Sequence, residues 1–155
     1  MSSVKRHSGN ADAQRAPDAS ASQAARFAAV RRQTEALAAP LSPEDCALQS
    51  MPDASPVKWH LAHVSWFFET FVLVPHASGY RPFDAAFRVL FNSYYNGVGD
   101  MQPRRERGLL SRPDLATVLA YRRHVDAAMQ RCLEQPLPAK AAALVELGLH
   151  HEQQH

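Results

Sequence analysis

Pro56-Val57-Lys58-Trp59-His60-Leu61-Ala62-His63-Val64-Ser65-Trp66-Phe67-Phe68-Glu69-Thr70-Phe71-Val72-Leu73-Val74 is the most aromatic stretch of the chain. Between its first residue and its last it carries no Pro or Gly, and its aromatics do not alternate as in a half-buried strand. Trp59, Ala62, Trp66 and Thr70 recur at helical spacing, with His63 and Phe67 beside them. The pattern predicts a buried helix over 56–74, closed by Pro75 and Gly79. A helix that is apolar nearly all round needs other elements to cover it.

The flanking sequence supplies them. An alanine-rich segment, 21–39, places Phe27, Val30, Thr34 and Leu37 at helical period and stops at Pro40. Ser42-Pro43-Glu44-Asp45 reads as a helix start: a Ser cap, Pro in the first turn, acids where the helix dipole favours them. Met51-Pro52 and Ser55-Pro56 keep that helix short. Downstream, Phe83, Phe87, Leu90/Phe91 and Tyr94 predict a third bundle helix over 83–95, ended by Asn96-Gly97 and Gly99. Asp114 is placed to cap a long helix, 115–133, with inner residues Leu115, Val118/Leu119, Arg122, Val125/Asp126, Met129 and Leu133. After Pro136 and Pro138 a final helix, 139–155, presents Leu144, Leu147/Gly148, His151 and His155. No repeat and no convincing strand appears. The expected fold is all-α, an antiparallel four-helix bundle with short extra helices over residues 21–155.

Composition narrows the function. Apolar residues are 46% and charged residues 21% of 155, a globular balance. Cys46 and Cys132 stand far apart, without metal spacing or a disulfide framework. The longest apolar run is five residues, Ala141 to Val145, too short for a membrane span or a signal peptide core. The expected location is cytoplasmic. Residues 1–32 hold six Lys/Arg against two acids, whereas 33–155 hold eleven against thirteen. The body therefore lacks the basic, aromatic-laced face that nucleic acid requires. Residues 1–20 are polar and aperiodic, and are expected to be a disordered basic leader.

Histidine carries the chemical signal. His151 and His155, four apart, share a helix face that continues an inward apolar stripe. His63 sits on the aromatic helix. Helical bundles build metal sites in their cores from such facing side chains. The alternatives at this level are exposed histidines at a fraying helix end and a hydrogen-bonded core histidine. His151-Glu152-x-x-His155 also fits the zinc-protease pattern, in which the Glu activates water, but no third ligand follows it.

The same residues resemble a known family. Ser55–Phe71, with Trp59-His60-Leu61-Ala62-His63 and Trp66-Phe67-Phe68-Glu69, is similar to the first iron-ligand helix of the ergothioneine-biosynthesis sulfoxide synthases (hercynine oxygenases). Arg81-Pro82-Phe83-Asp84, Leu90–Gly99, Arg107–Pro113 and Tyr121-Arg122-x-x-Val125-Asp126 resemble the segments that follow. Leu147-Gly148-Leu149-His150-His151-Glu152-Gln153-Gln154-His155 resembles the family's iron motif. Selenoneine and ovothiol synthases share much of this pattern.

The resemblance implies a DinB-like bundle in which His63, His151 and His155 bind Fe(2+). It implies that Gln154 helps hold hercynine and that Arg107 contacts the carboxylate of the thiol, γ-glutamylcysteine or cysteine; a solvated loop charge is the alternative for Arg107. Dioxygen is the third small-molecule substrate. Three neutral imidazoles leave the ion its full charge and open positions for these ligands. The family's catalytic tyrosine belongs to a second domain similar to formylglycine-generating enzymes, so no catalytic residue is expected within 1–155 and the isolated chain is expected to be an inactive fragment. A non-catalytic metal-binding bundle and a DinB-like zinc-dependent thiol S-transferase are the other readings. With imidazoles of ordinary pKa, about 6.5, metal binding is expected to weaken below about pH 6.

Deleting residues 1–20 is expected to leave the melting temperature almost unchanged. A loss of several degrees in a thermal melt would show that this segment packs on the bundle.

Overall fold

The computed structural model describes residues 19–93, 97 and 100–155, with side chains from residue 23 onward. The expected leader lies almost wholly outside the described residues, as do Tyr94, Tyr95 and Asn96. Among those described there is no strand, and the helices are α1 (Ala19–Ala38), α2 (Pro43–Ala47), α3 (Val57–Phe68), α4 (Val74–His76), α5 (Phe87–Leu90), α6 (Leu115–Cys132) and α7 (Ala139–Gln154). A π-helical turn, Glu69–Leu73, joins α3 to α4, and a 3-10 helix spans Arg104–Leu109. The four long helices α1, α3, α6 and α7 form the bundle, with the short helices in its connections.

Two of the helix starts follow the sequence signals. Ser42 Oγ accepts from Asp45 N at 3.1 Å while Asp45 Oδ2 accepts from Ser42 N at 3.0 Å, a reciprocal capping box that satisfies two otherwise unpaired donors. Asp114 Oδ1 accepts from Thr117 N at 2.8 Å at the start of α6.

Helix direction follows from which residues meet. Gln23, Arg26 and Arg31 of α1 meet Ala142, Glu146 and Glu152 of α7 in the same order, so these helices run parallel. His60 and His63 of α3 meet His155 and His151 in reverse order, so α3 is antiparallel to α7. Arg31 meets Asp126 while Glu35 meets Arg122, so α6 is antiparallel to α1. It follows that α3 and α6 are parallel. The chain runs up, down, down, up, and the long connection from 77 to 114 is the crossover.

That crossover corrects the expected helix over 83–95. Among the described residues of that stretch, only Phe87–Leu90 is helical. Asp84 Oδ1 accepts from Ala86 N at 2.8 Å, and the Phe83 N–H is taken by Glu69 Oε1 at 3.2 Å. The carbonyls that a longer helix would use internally accept side chains of α3 instead. Trp66 Nε1 donates to Arg88 O at 3.0 Å, Trp59 Nε1 to Leu90 O at 3.2 Å, and His63 Nδ1 to Phe91 O at 2.6 Å. The segment is a strap laid across the aromatic helix. Its apolar stripe is real, since Phe87 and Phe91 are buried, but Phe83 remains 37% exposed.

Three other expected faces are adjusted. On α1 Leu37 is 71% exposed, and Arg31, read from sequence as part of a basic arm, is buried. On α7 the core positions are Ala141, Val145, Gly148, Leu149 and Glu152, so Leu147 faces outward and His151 and His155 lie at the edge of the stripe. On α6 Tyr121 joins the buried face that Val118, Arg122, Val125 and Met129 were expected to form. No described helix is long and apolar enough to cross a membrane.

Gly148 is where α7 presses most closely on α3. A Cβ there would stand 2.5 Å from Phe68 Cε1 and 2.9 Å from Phe67 Cε1, ring atoms in a packed core. Gly148→Ala gains about 1 kcal/mol of helix propensity but overpacks the contact, which costs about 1–3 kcal/mol. The expected outcome is a net loss of stability of about 1 kcal/mol, read as a lower urea midpoint at unchanged m-value.

Candidate metal centre

The π turn and the strap fix α3 so that His63 faces α7. His63 is 1% exposed and lies between the two tryptophans, its ring stacked on Trp59 at 4.5 Å and on Trp66 at 5.4 Å, both at 16°. A carbonyl can only accept, so the 2.6 Å contact to Phe91 O puts the His63 proton on Nδ1 and leaves Nε2 with a free lone pair. That Nε2 lies 3.2 Å from His151 Nε2, which lies 3.1 Å from His155 Nε2.

Three imidazole nitrogens therefore converge within 4.8 Å of one another. Two nitrogens bound about 2.0–2.1 Å from one ion, at angles of 90–110°, stand about 2.8–3.4 Å apart. The two separations to His151 fall in that range. The donor set fits a divalent metal on chemical grounds as well: imidazole suits iron, zinc, copper and nickel. His151 Nδ1 is buried with no hydrogen-bond partner among the described residues. The sequence-predicted ligands are thus brought together, with His63 buried, His151 half-buried and His155 on the open side.

Glu152, flanked by these ligands in sequence, points the other way. Its carboxylate is buried against Arg31 Nη1 at 2.9 Å and Arg122 Nη2 at 3.2 Å. The two arginines hold its pKa down against the opposing effect of burial. A Glu so placed cannot activate water at the metal, which excludes the zinc-protease reading of His151-Glu152-x-x-His155.

Arg107 is not a solvated loop charge. It is 3% exposed, its guanidinium stacks over Trp59 with 3.5 Å to the ring centroid, and Nη1 donates to Ser55 Oγ at 2.9 Å. Arg107, Trp59, His63 and Trp66 form a continuous layered stack beside the centre. Gln154 is exposed on the last turn of α7. A cleft of about 660 Å³ opens next to His155, between α1, α3 and α7, walled by Val30, Thr34, Leu61 and Val64 and edged by His60 and Gln153. His60 escaped the sequence reading as a site residue. Its Nδ1 lies 2.8 Å from His155 Nδ1. Its position three residues before His63 was the available signal, since that spacing shares a helix face.

The histidines are held neutral. Burial pushes the His63 pKa down to about 2, with further lowering from the other two histidines and Arg107. Burial likewise lowers His60 and His151 to about 4, and lowers His155, where Arg107 and Arg104 add to the effect. Protons therefore compete for the nitrogens less than the sequence alone implied, and the weakening of metal binding moves below pH 6.

Comparison with known proteins agrees with this architecture. The model of the DinB superfamily matches residues 26–155, which takes in all of α3, α6 and α7 and every histidine of the centre. The chain belongs to the DinB superfamily. A search of curated proteins finds no match.

The metal-free protein is expected to lose stability as pH falls. The folded-state pKa values of His60, His63 and His151 lie below the unfolded value of about 6.5, so the unfolded chain takes up protons first. Their contribution is complete above about pH 7.5 and declines from pH 6.5 downward, before most carboxylates titrate. Urea midpoints of metal-free protein at pH 7.5 and pH 5 measure this, and equal midpoints would contradict it.

Proposed function

We propose that this chain is the iron-binding portion of a non-haem iron(II), dioxygen-dependent sulfoxide synthase that joins a thiol to hercynine in ergothioneine-type biosynthesis. The observation that carries the reading is the convergence of three imidazole nitrogens, one of them on His155 at the edge of a cleft, on helices whose sequences resemble that family. Iron(II), when bound, supplies charge and open positions on which thiolate, imidazole and dioxygen meet.

The chain's own residues have distinct tasks in this scheme. His63, His151 and His155 hold the ion without cancelling its charge. Trp59, Trp66 and the Phe91 carbonyl keep His63 in one tautomer and exclude water from its buried side. Arg107, with Arg104, places positive charge close enough to lower the His155 pKa, and that field favours a thiol substrate bearing a carboxylate. An arginine stacked and braced as Arg107 is can meet a carboxylate with little loss of side-chain freedom. Gln154, on the exposed last turn, is assigned to hercynine. The proton donor and the remaining substrate wall are assigned to a formylglycine-generating-enzyme-like domain. The same three histidines would serve a zinc-dependent thiol S-transferase, because imidazole does not select between the two metals.

Anaerobic iron(II) titration tests the first step: one equivalent binds, and His63→Ala weakens binding at least 100-fold. The loaded chain is then incubated with hercynine, each thiol and dioxygen, alone and with the second domain added in trans. Sulfoxide detected by mass spectrometry only in the presence of that domain is the expected result. Thiol transfer without dioxygen by the zinc-loaded chain would replace this reading with the S-transferase.

A further inference from the structure

We infer that His60 is a positioning residue of the metal centre, holding His155 in the tautomer that turns Nε2 toward the ion. The inference rests on the metal-binding reading above. Each candidate ligand has a different support. His63 Nδ1 donates to the Phe91 carbonyl, and His151 Nδ1 has no hydrogen-bond partner among the described residues. His155 is the exposed member of the three. Its ring is steadied by His60, with Nδ1 to Nδ1 at 2.8 Å.

Two ring nitrogens at that distance share one proton. A His155 that gives its Nε2 lone pair to a metal carries its proton on Nδ1, so it is the donor and His60 Nδ1 the acceptor. His60 must then carry its own proton on Nε2. The His60 ring also packs edge-on against Trp59, with 5.7 Å between centroids, and Trp59 is covered on its face by Arg107. His60 thereby ties the most exposed ligand to the aromatic layer of α3. Such outer partners fix ring orientation and raise ligand basicity, and losing one typically costs about 10–100-fold in metal affinity.

Cobalt(II), whose visible bands report ligand number, is the probe. His60→Leu is expected to bind cobalt about 10–100-fold more weakly than wild type. His60→Asn, whose amide oxygen stands one bond from Cγ as Nδ1 does and can accept from His155 Nδ1, should recover most of the affinity with unchanged bands. In a His155→Ala background, His60→Leu should cause no further loss. Metal-free melting curves check folding, and His60→Ala, which offers no acceptor, replaces His60→Leu if the leucine variant is unfolded. Wild-type affinity in His60→Leu, or an equal loss in the His155→Ala background, would overturn the inference. Bands altered in both His60→Leu and His60→Asn would make His60 a ligand and also overturn it. Failure of the wild-type chain to bind cobalt would instead remove the metal reading itself, and this inference with it.

Discussion

The arrangement hangs on one buried carboxylate. Glu152 accepts from Arg31 on α1 and from Arg122 on α6, and Arg31 also reaches Asp126 and Ser65. One charged cluster thus fastens all four long helices together. Burying such charges costs several kcal/mol each unless every partner is present. A slip of α7 by one residue would take the shared carboxylate from two buried guanidinium groups, leaving Arg31 with Asp126 and Ser65 and Arg122 with the half-exposed Glu35 and backbone carbonyls. The cluster therefore sets the register of α7, and with it the height at which His151 and His155 stand opposite His63.

A second buried carboxylate does a related task on the other side. Glu69, in the π turn, accepts from the Tyr80 and Tyr121 hydroxyls at 2.5 and 2.6 Å and from Phe83 N. It draws the start of the crossover against α3 and α6, so that the strap can meet Trp59, His63 and Trp66. Burial, and then the adjacent Glu69 carboxylate, keep Tyr80 and Tyr121 protonated well above their usual range.

How much of this was legible in the sequence depends on the range of the interaction. Local signals read correctly: the Ser42 and Asp114 caps, the aromatic period of α3 and the i,i+4 histidine pair are set within a turn or two. The 83–95 segment read as a helix because its period is helical. What decided otherwise was three side chains of α3 competing for its carbonyls, contacts more than twenty residues away. Arg31 read only as one of the six basic residues of 1–32, because no local rule reports that Glu152, 121 residues on, will neutralise it. The three clustered histidines were visible as residue types with spacing, and the resemblance singled out the same three. Arg107 and His60 acquire their meaning only from the packing of Trp59 and His155 against them.

The layered stack has a consequence for observation. The chain contains two tryptophans, and both lie flat against the ring of His63. No indole elsewhere dilutes what happens there. The intrinsic fluorescence of the whole protein is in effect an optical readout of a single imidazole. Occupancy by a paramagnetic ion, a shift of the strap that holds both indole N–H groups, or displacement of Arg107 from Trp59 would each be reported without any label.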